Sequence, residues 1–295
     1  MPQISSNGVT LEYDTFGSPG GRPLLLVMGL GAQMIHWDDE FCSGLADHGH
    51  HVIRFDNRDA GLSTKFDDAP IPDMGALVTS LVAGEKPDVP YTLDDMADDA
   101  FGLLDGLGVE RAHVCGASMG GMIVQTMALR QPERLLSMTS IMSTTGNPAL
   151  PPAAPEAMAA LTSPVPADLE GYLERSLSVA KVIGSPGFPF DDARARERAR
   201  QTYERSLYPE GTARQMAAIV AHGNRRPGLE ALRLPTLVIH GTDDPLVPLT
   251  GGHDTHAAIA NSEMLEIPGM GHDLPPGSWD TVIGSISKLT ARTSG

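Results

Sequence analysis

The chain predicts an α/β fold, a mostly parallel central sheet flanked by helices, with a helical segment inserted between two late strands. Three observations carry this expectation. Short apolar runs alternate with amphipathic helical runs, the pattern that crossover helices between parallel strands require. The alternation stops between Met142 and Pro235 and then resumes. At 295 residues the chain can bury one large core, so a single core with an insertion is more economical than two independent domains.

Strand-like runs open the chain at Val9 to Phe16 and Pro23 to Met28. After the second, Gly29-Leu30-Gly31-Ala32 turns away before an amphipathic segment around Trp37, Phe41 and Leu45. His51 to Asp56 is the next strand, and His48, His50 and His51 read as a solvated turn leading into it. The irregular stretch Lys65 to Tyr91 holds a short helix at Met74 to Val82, whose Leu77, Val78 and Leu81 read as ordinary packing. A clearer helix starts at Thr92, carries Asp94 and Asp95 in its first turn, and ends at Gly108; Met96, Ala100, Leu103, Leu104 and Leu107 share the face that packs on the sheet. Ala112 to Cys115 is a strand followed by a helical run to Arg130, and Leu135 to Met142 is another strand.

Asn147 to Pro166 is rich in proline and alanine, and the helical pieces beyond it carry Leu173, Leu177, Val182, Tyr203, Met216 and Ile219. Residues 147–230 are therefore expected to form a helical cap, or lid, on a core made of residues 1–146 and 231–295. Within the cap, Arg194 to Arg205 interleaves arginine with Glu197 and Glu204 and reads as a solvated helix face. Thr236 to His240 and Met264 to Ile267 complete the strands.

The formal charge of −16 argues against nucleic acid and anionic membranes as partners, because phosphate binding needs a basic surface. No apolar stretch approaches the length of a membrane helix, and Met1-Pro2-Gln3-Ile4-Ser5 lacks the parts of a signal peptide, so a cytoplasmic protein is expected. Cys42 and Cys115 lie in apolar contexts and are expected to pack as small hydrophobes. His253 and His256 have helical spacing compatible with a metal but lack a third ligand candidate, so neither metal nor cofactor is expected.

Chemistry concentrates at the ends of the strands. Gly116-Ala117-Ser118-Met119-Gly120 sits between a strand and a helix. A serine on so sharp a turn projects its hydroxyl into a cleft, and glycines two residues to either side let strand and helix approach. A hydroxyl is a poor nucleophile near neutral pH and needs a histidine base, a carboxylate to orient that base, and amide donors for an oxyanion. The carboxylate candidates, Asp243 and Asp244, follow the strand ending at His240; proline after Asp244 biases that residue toward an extended conformation and favours it. The histidine is His272, in the glycine-flanked loop Gly269-Met270-Gly271-His272. The backbone amides of Leu30, in the first glycine turn, and of Met119, after the serine, form the expected oxyanion hole. A dinucleotide fingerprint at Gly29-x-Gly31 fails because position 34 is Met34 rather than glycine.

Together with Arg54-Phe55-Asp56-Asn57-Arg58-Asp59-x-Gly61-x-Ser63, these motifs resemble the α/β-hydrolase superfamily across nearly the whole chain. Within it, Gly187-Phe188-Pro189-Phe190-Asp191-Asp192 resembles a bacterial carboxylic-ester hydrolase group that includes aclacinomycin methylesterase and mycobacterial-type serine esterases. The chain departs from the commonest superfamily pattern in carrying Met28 where a histidine usually precedes Gly29. The resemblance implies a Ser118, Asp244, His272 triad, a hole formed by Leu30 and Met119, and an acyl-enzyme on Ser118. The expected substrate is a small to medium neutral ester, apolar or cyclic, enclosed by lid residues such as Met158, Phe188, Phe190 and Met216. The alternatives are thioester cleavage, carbon–carbon bond hydrolysis or cofactor-free perhydrolysis by the same triad, and non-catalytic ligand binding.

Overall fold

In the computed structural model, which describes residues 2–293, eight strands form one sheet. They are β1 (Gln3–Ser6), β2 (Val9–Phe16), β3 (Arg22–Val27), β4 (His50–Phe55), β5 (Ala112–Ala117), β6 (Leu135–Ile141), β7 (Thr236–Gly241) and β8 (Glu263–Ile267). Met1 and residues 294–295, at the ends of the expected core segments, lie outside the described residues. The order across the sheet is β1-β2-β4-β3-β5-β6-β7-β8, antiparallel at the β1/β2 and β2/β4 pairs and parallel from β4 to β8. The first strand, β1, has no counterpart in the sequence reading: four residues at a sheet edge carry too little alternation to stand out.

The parallel strands are buried on both faces, and their side chains sort by parity as a pleated strand demands. Leu25 and Val27 of β3 point into one cluster with Ile53, Val114 and Met138, covered by α3 (Leu93–Gly106) and α4 (Met119–Arg130). Leu24 and Leu26 point the other way with Val52, Cys115 and Ile239, covered by α1 (Asp39–Asp47) and α11 (Trp279–Thr293). Cys42 and Cys115 are free thiols in this second cluster, and burial pushes Cys42 up to about 12. Thr92 caps α3 in a reciprocal box with Asp95, which satisfies amide donors that the first helical turn leaves free.

Between α1 and α3, α2 (Met74–Val82) stands on the surface with Leu77 buried and Val78 and Val82 exposed. Between β6 and β7 the chain forms α5 (Pro155–Leu161), α6 (Leu169–Ile183), α7 (Asp192–Arg205), α8 (Pro209–His222) and the short α9 (Arg226–Leu229); α10 (Leu249–Ala258) then connects β7 to β8. Long polar side chains fasten this insertion to the sheet. Arg205 of α7 meets the buried carboxylate of Asp56 at 2.6 Å, and Arg214 of α8 meets buried Asp59 at 2.8 Å. Both aspartates follow β4, at the same edge of the sheet as the first glycine turn.

Two local expectations are corrected. His50 is buried, not part of a solvated turn: its ring nitrogens bond Leu45 O and Thr290 Oγ1, each at 2.7 Å. The Arg194 to Arg205 helix is not a wholly solvated face: Arg194 and Arg198 converge on Asp38, and Arg205 reaches Asp56. Among the described residues, no helix is long and apolar enough to cross a membrane.

Candidate active site

Strand β5 delivers Ser118 into a conformation that L residues seldom adopt, with φ +56° and ψ −119°. Such a conformation costs about 1–3 kcal/mol and persists only where its surroundings enforce it. The surroundings here are close packing and hydrogen bonds. A Cβ on Gly116 would run into the carbonyl of Gly120, and one on Gly120 into the carbonyl of Val27 on β3. The Ser118 amide donates to Ile141 O at 2.9 Å, and the Ser143 hydroxyl donates to Ser118 O at 2.8 Å. Ser118 is thus held at both its N–H and its C=O, by the last residue of β6 and by the loop just beyond it.

Two loops beyond β7 and β8 complete a hydrogen-bonded chain with this serine. The Ser118 hydroxyl lies 3.0 Å from His272 Nε2, and His272 Nδ1 lies 2.8 Å from Asp244 Oδ2. Asp244 is buried, and its other oxygen accepts the amides of Leu246 and Val247 at 2.9 and 2.8 Å. Three donors thus fix one carboxylate. The neighbouring Asp243 is exposed, and its amide donates to Met270 O at 3.0 Å; of the two aspartates, Asp244 is the one brought to His272. A second imidazole, His240, stands 3.6 Å from Asp244 Oδ2. Its Nε2 is engaged by Val247 O at 2.8 Å, and burial holds its pKa below the ordinary histidine value. His240 is therefore protonated less readily than a free imidazole, behind the carboxylate.

The first glycine turn lies directly over the serine. A Cβ on Gly29 would come within 3.1 Å of Ser118 Cβ. Ala32 N donates to Gly29 O at 3.3 Å, and Asn57 Nδ2 anchors Met28 O at 3.0 Å. Among the described residues no protein acceptor takes the N–H of Leu30 or of Met119. Met119 opens α4, so its amide also belongs to the positive end of a helix dipole.

A cavity of about 340 Å³ opens beside Ser118 and His272. Its walls are mainly apolar: Met28, Met122 and Met142 from the core, and Met158, Ile183, Met216 and Ile219 from the insertion. Phe188 and Phe190, expected to line it, do not. Phe188 packs against the second core cluster, and Phe190 is exposed with Lys181 Nζ 5.3 Å from its ring centre.

Three polar side chains interrupt the apolar lining and went unnoticed in the sequence. Arg198 Nη2 holds both oxygens of Asp38 at 2.6 Å. His36 Nε2 meets Thr202 Oγ1 at 3.1 Å, and burial, with a smaller contribution from Arg198, drives its pKa down to about 3. Asp273 accepts the Ser185 hydroxyl, and burial raises its pKa above the usual carboxylate value. The one sequence signal for Arg198 was the spacing of Arg194, Arg198 and Arg205, which share a helix face at steps of four and seven. Away from the cavity, His253 pairs with Glu266 and His256 with Ser262, each at 2.8 Å.

Known proteins of similar sequence and structure agree with this architecture. A family described as alpha/beta hydrolase fold matches residues 22–275. The rhodomycin D methylesterase DnrP of Streptomyces peucetius is 30% identical, with 92% of each chain covered. The 3-oxoadipate enol-lactonase 2 of Acinetobacter baylyi is 25% identical, with 97% of this chain and 96% of that one covered. Among solved structures, the enol-lactonase from Burkholderia xenovorans LB400 superposes with a TM-score of 0.75 at 23% identity, covering 98% of this chain and all of the other. With its eight-stranded sheet, its strained serine turn after the fifth strand and a family match spanning most of its length, the chain belongs to the alpha/beta hydrolase fold family.

Proposed function

We infer that the protein hydrolyses carboxylic esters through an acyl-enzyme on Ser118. The observation that carries this is the unbroken hydrogen-bonded chain from Ser118 Oγ through His272 to the buried carboxylate of Asp244. In the neutral tautomer with the proton on Nδ1, His272 donates to Asp244 Oδ2 and accepts from Ser118. Ser118 Oγ attacks the ester carbonyl carbon as His272 Nε2 takes its proton. The carbonyl oxygen becomes an oxyanion facing the free amides of Leu30 and Met119. The tetrahedral adduct then collapses, and His272 returns the proton to the departing alcohol. A water activated by the same imidazole attacks the acyl carbon, and the acid leaves with Ser118 regenerated. Asp244 keeps the imidazole in the productive tautomer and balances the imidazolium that forms. The scheme draws on no cofactor or metal.

Residues 147–230 act in this reading as a cap over a core of residues 1–146 and 231–295, supplying the outer wall of the cavity. The substrate class follows from that wall. Apolar burial contributes roughly 25 cal/mol per Å², and the methionine-rich lining favours a small to medium neutral ester, apolar or cyclic. Arg198 Nε and Nη1 donate to no protein acceptor among the described residues, so the cavity suits an apolar body bearing one polar group. The methylesterase and enol-lactonase relatives support ester and cyclic-ester chemistry. The charge of −16 disfavours a polyanion such as an acyl-coenzyme A.

Steady-state kinetics on a matched neutral ester and acyl-coenzyme A, with mass-spectrometric mapping of an organophosphonate adduct, test the reading. The neutral ester should have the higher kcat/KM at low ionic strength, and the label should sit on Ser118. Labelling elsewhere, or a preference for the thioester, overturns it.

A further inference from the structure

Gln215 belongs to the insertion, on α8, yet its side chain reaches the turn that carries the Leu30 amide. It is fully buried. Its Oε1 accepts the N–H of Gly31 at 2.8 Å, and its Nε2 donates to Arg58 O at 2.7 Å. Both ends of the amide are used, so neither the rotamer nor the orientation of the group is free.

The turn it grips is one that can change shape. Residues 29–32 are closed by the Ala32 N–H to Gly29 O bond, with Gly31 at φ +65°, the positive angle that the third position of a type II turn requires. In the trans peptide between Gly29 and Leu30, the carbonyl and the N–H point opposite ways. Directing Gly29 O inward to Ala32 therefore turns the Leu30 N–H outward. Rotating the next peptide, between Leu30 and Gly31, converts such a turn into another type without turning the Leu30 N–H, and with glycines on both sides of Leu30 the turn as a whole can also shift over Ser118. The Gly31 N–H lies in that peptide. Its acceptor is Gln215, and Thr212 of the same helix packs against Gly31 so closely that a Cβ there would meet the Thr212 side chain.

We propose that Gln215 is a positioning residue for the oxyanion hole: through the Gly31 N–H the cap pins the Gly29–Ala32 turn at the place over Ser118 where the Leu30 amide faces the reacting carbonyl. This rests on the acyl-enzyme reading above. The cap then does more than enclose substrate, since one of its side chains sets the geometry of a donor on the core.

The test compares wild type with Gln215→Met, which removes both hydrogen bonds at similar volume, Gln215→Glu, which keeps an acceptor for Gly31, and Tyr208→Phe. Tyr208 immediately precedes α8 and ties its start to Asp67 at 2.7 Å without lining the cavity, so its variant reports general loosening of the cap. Loss of a whole oxyanion donor lowers kcat about 10²–10³-fold. A misplaced donor should cost less, so Q215M should lower kcat on a neutral p-nitrophenyl ester about 10- to 100-fold with KM within about threefold. Affinity for a boronic acid that forms a tetrahedral adduct on Ser118 should fall in parallel, Q215E should recover most of the loss, and Y208F should keep wild-type kcat. Hydrogen exchange at the Gly31 amide, slow in wild type, should become fast in Q215M. If Q215M does not fold, Gln215→Asn, too short to reach Gly31, carries the same comparison. An active wild type whose Gln215 variants keep kcat and boronate affinity overturns the proposal. A wild type inert on every ester and unlabelled at Ser118 overturns the acyl-enzyme reading instead, with the Gly31 exchange arm still reporting whether Gln215 holds the turn.

Discussion

The two halves of the site are built by different physics. On the sheet side, Ser118, the Gly29 turn and the Asp244 carboxylate are held by backbone atoms: glycines that admit a neighbouring carbonyl, amides that grip one oxygen, and a strained φ enforced from β6. On the side of the insertion between β6 and β7, long side chains do the holding, with Arg198 on Asp38, Arg205 on Asp56, Arg214 on Asp59 and Gln215 on Gly31. Backbone enforcement leaves little room for rearrangement. Side-chain ties can let go individually, so the insertion can vary in shape while Ser118 and Asp244 stay fixed; Gln215 differs from the arginines in that its tie ends on the oxyanion turn.

The largest effects should therefore fall on the sheet side and should appear in kcat. Ser118→Ala and His272→Ala should each reduce turnover by about 10³-fold or more with thermal unfolding little changed, and the double variant should be scarcely worse than either, because the members act as a unit. Asp244→Asn should cost about 10²-fold or more through loss of the productive tautomer, and Asp243→Asn little. Turnover surviving Ser118→Ala, or greater damage from Asp243→Asn at equal stability, would erase the distinction between the halves.

At the arginine ties of the insertion the expected signature is stability. Arg205→Met leaves the buried Asp56 carboxylate with only the amides of Met34 and Leu62, at 2.7 and 2.8 Å. Stranding one member of a buried ion pair costs about 3 kcal/mol. Denaturant unfolding should show that loss, KM should rise severalfold and kcat should hold within a factor of about two. A variant of unchanged stability with a collapsed kcat would mean that Arg205 serves the chemistry rather than the docking of the cap.

The same division explains what was legible in the sequence. Glycines at 29, 31, 116 and 120 mark their turns by their spacing whatever distant atoms they later admit, and the capping pair Thr92 and Asp95 acts on near neighbours, so a turn or a helix start is announced locally. Short strands ending in polar loops revealed the parallel sheet for the same reason. The inward-facing arginines did not announce themselves, because Arg198 and Asp38 lie 160 residues apart and Arg205 and Asp56 lie 149 apart. A helix alternating Arg with Glu looks solvated until its partner is known. His50 was misread likewise: its acceptors, Leu45 O and Thr290 Oγ1, come from α1 and the far end of the chain. Phe188 and Phe190 looked like lid lining because aromatic residues in an inserted segment suggest a pocket, yet one packs on the core and the other on solvent.

The smallest expected effect is a pH dependence of stability. His113, fully buried on β5 below the serine turn, bonds Ser137 Oγ at 2.8 Å, and burial brings its pKa from the ordinary 6.5 down to about 4. His36, on the cavity wall, is lowered to about 3. In both cases the folded state binds its proton less readily than the unfolded chain does. Between those folded values and 6.5 the unfolded state holds more protons, so stability is complete above 6.5 and is lost as pH falls. One pKa unit is worth about 1.4 kcal/mol, so His113 alone should contribute a loss of about 2 kcal/mol between pH 7 and pH 5. His113→Gln, measured by denaturant unfolding at both pH values, should be less stable than wild type at pH 7 and should close most of that gap at pH 5. His36→Gln should flatten the slope as well, but its effect should also reach KM, since His36 contacts Thr202 of the cap. If the His113→Gln gap is independent of pH, the imidazole is not held neutral by its burial, and the contrast between a rigid sheet side and an adjustable cap side loses its electrostatic support.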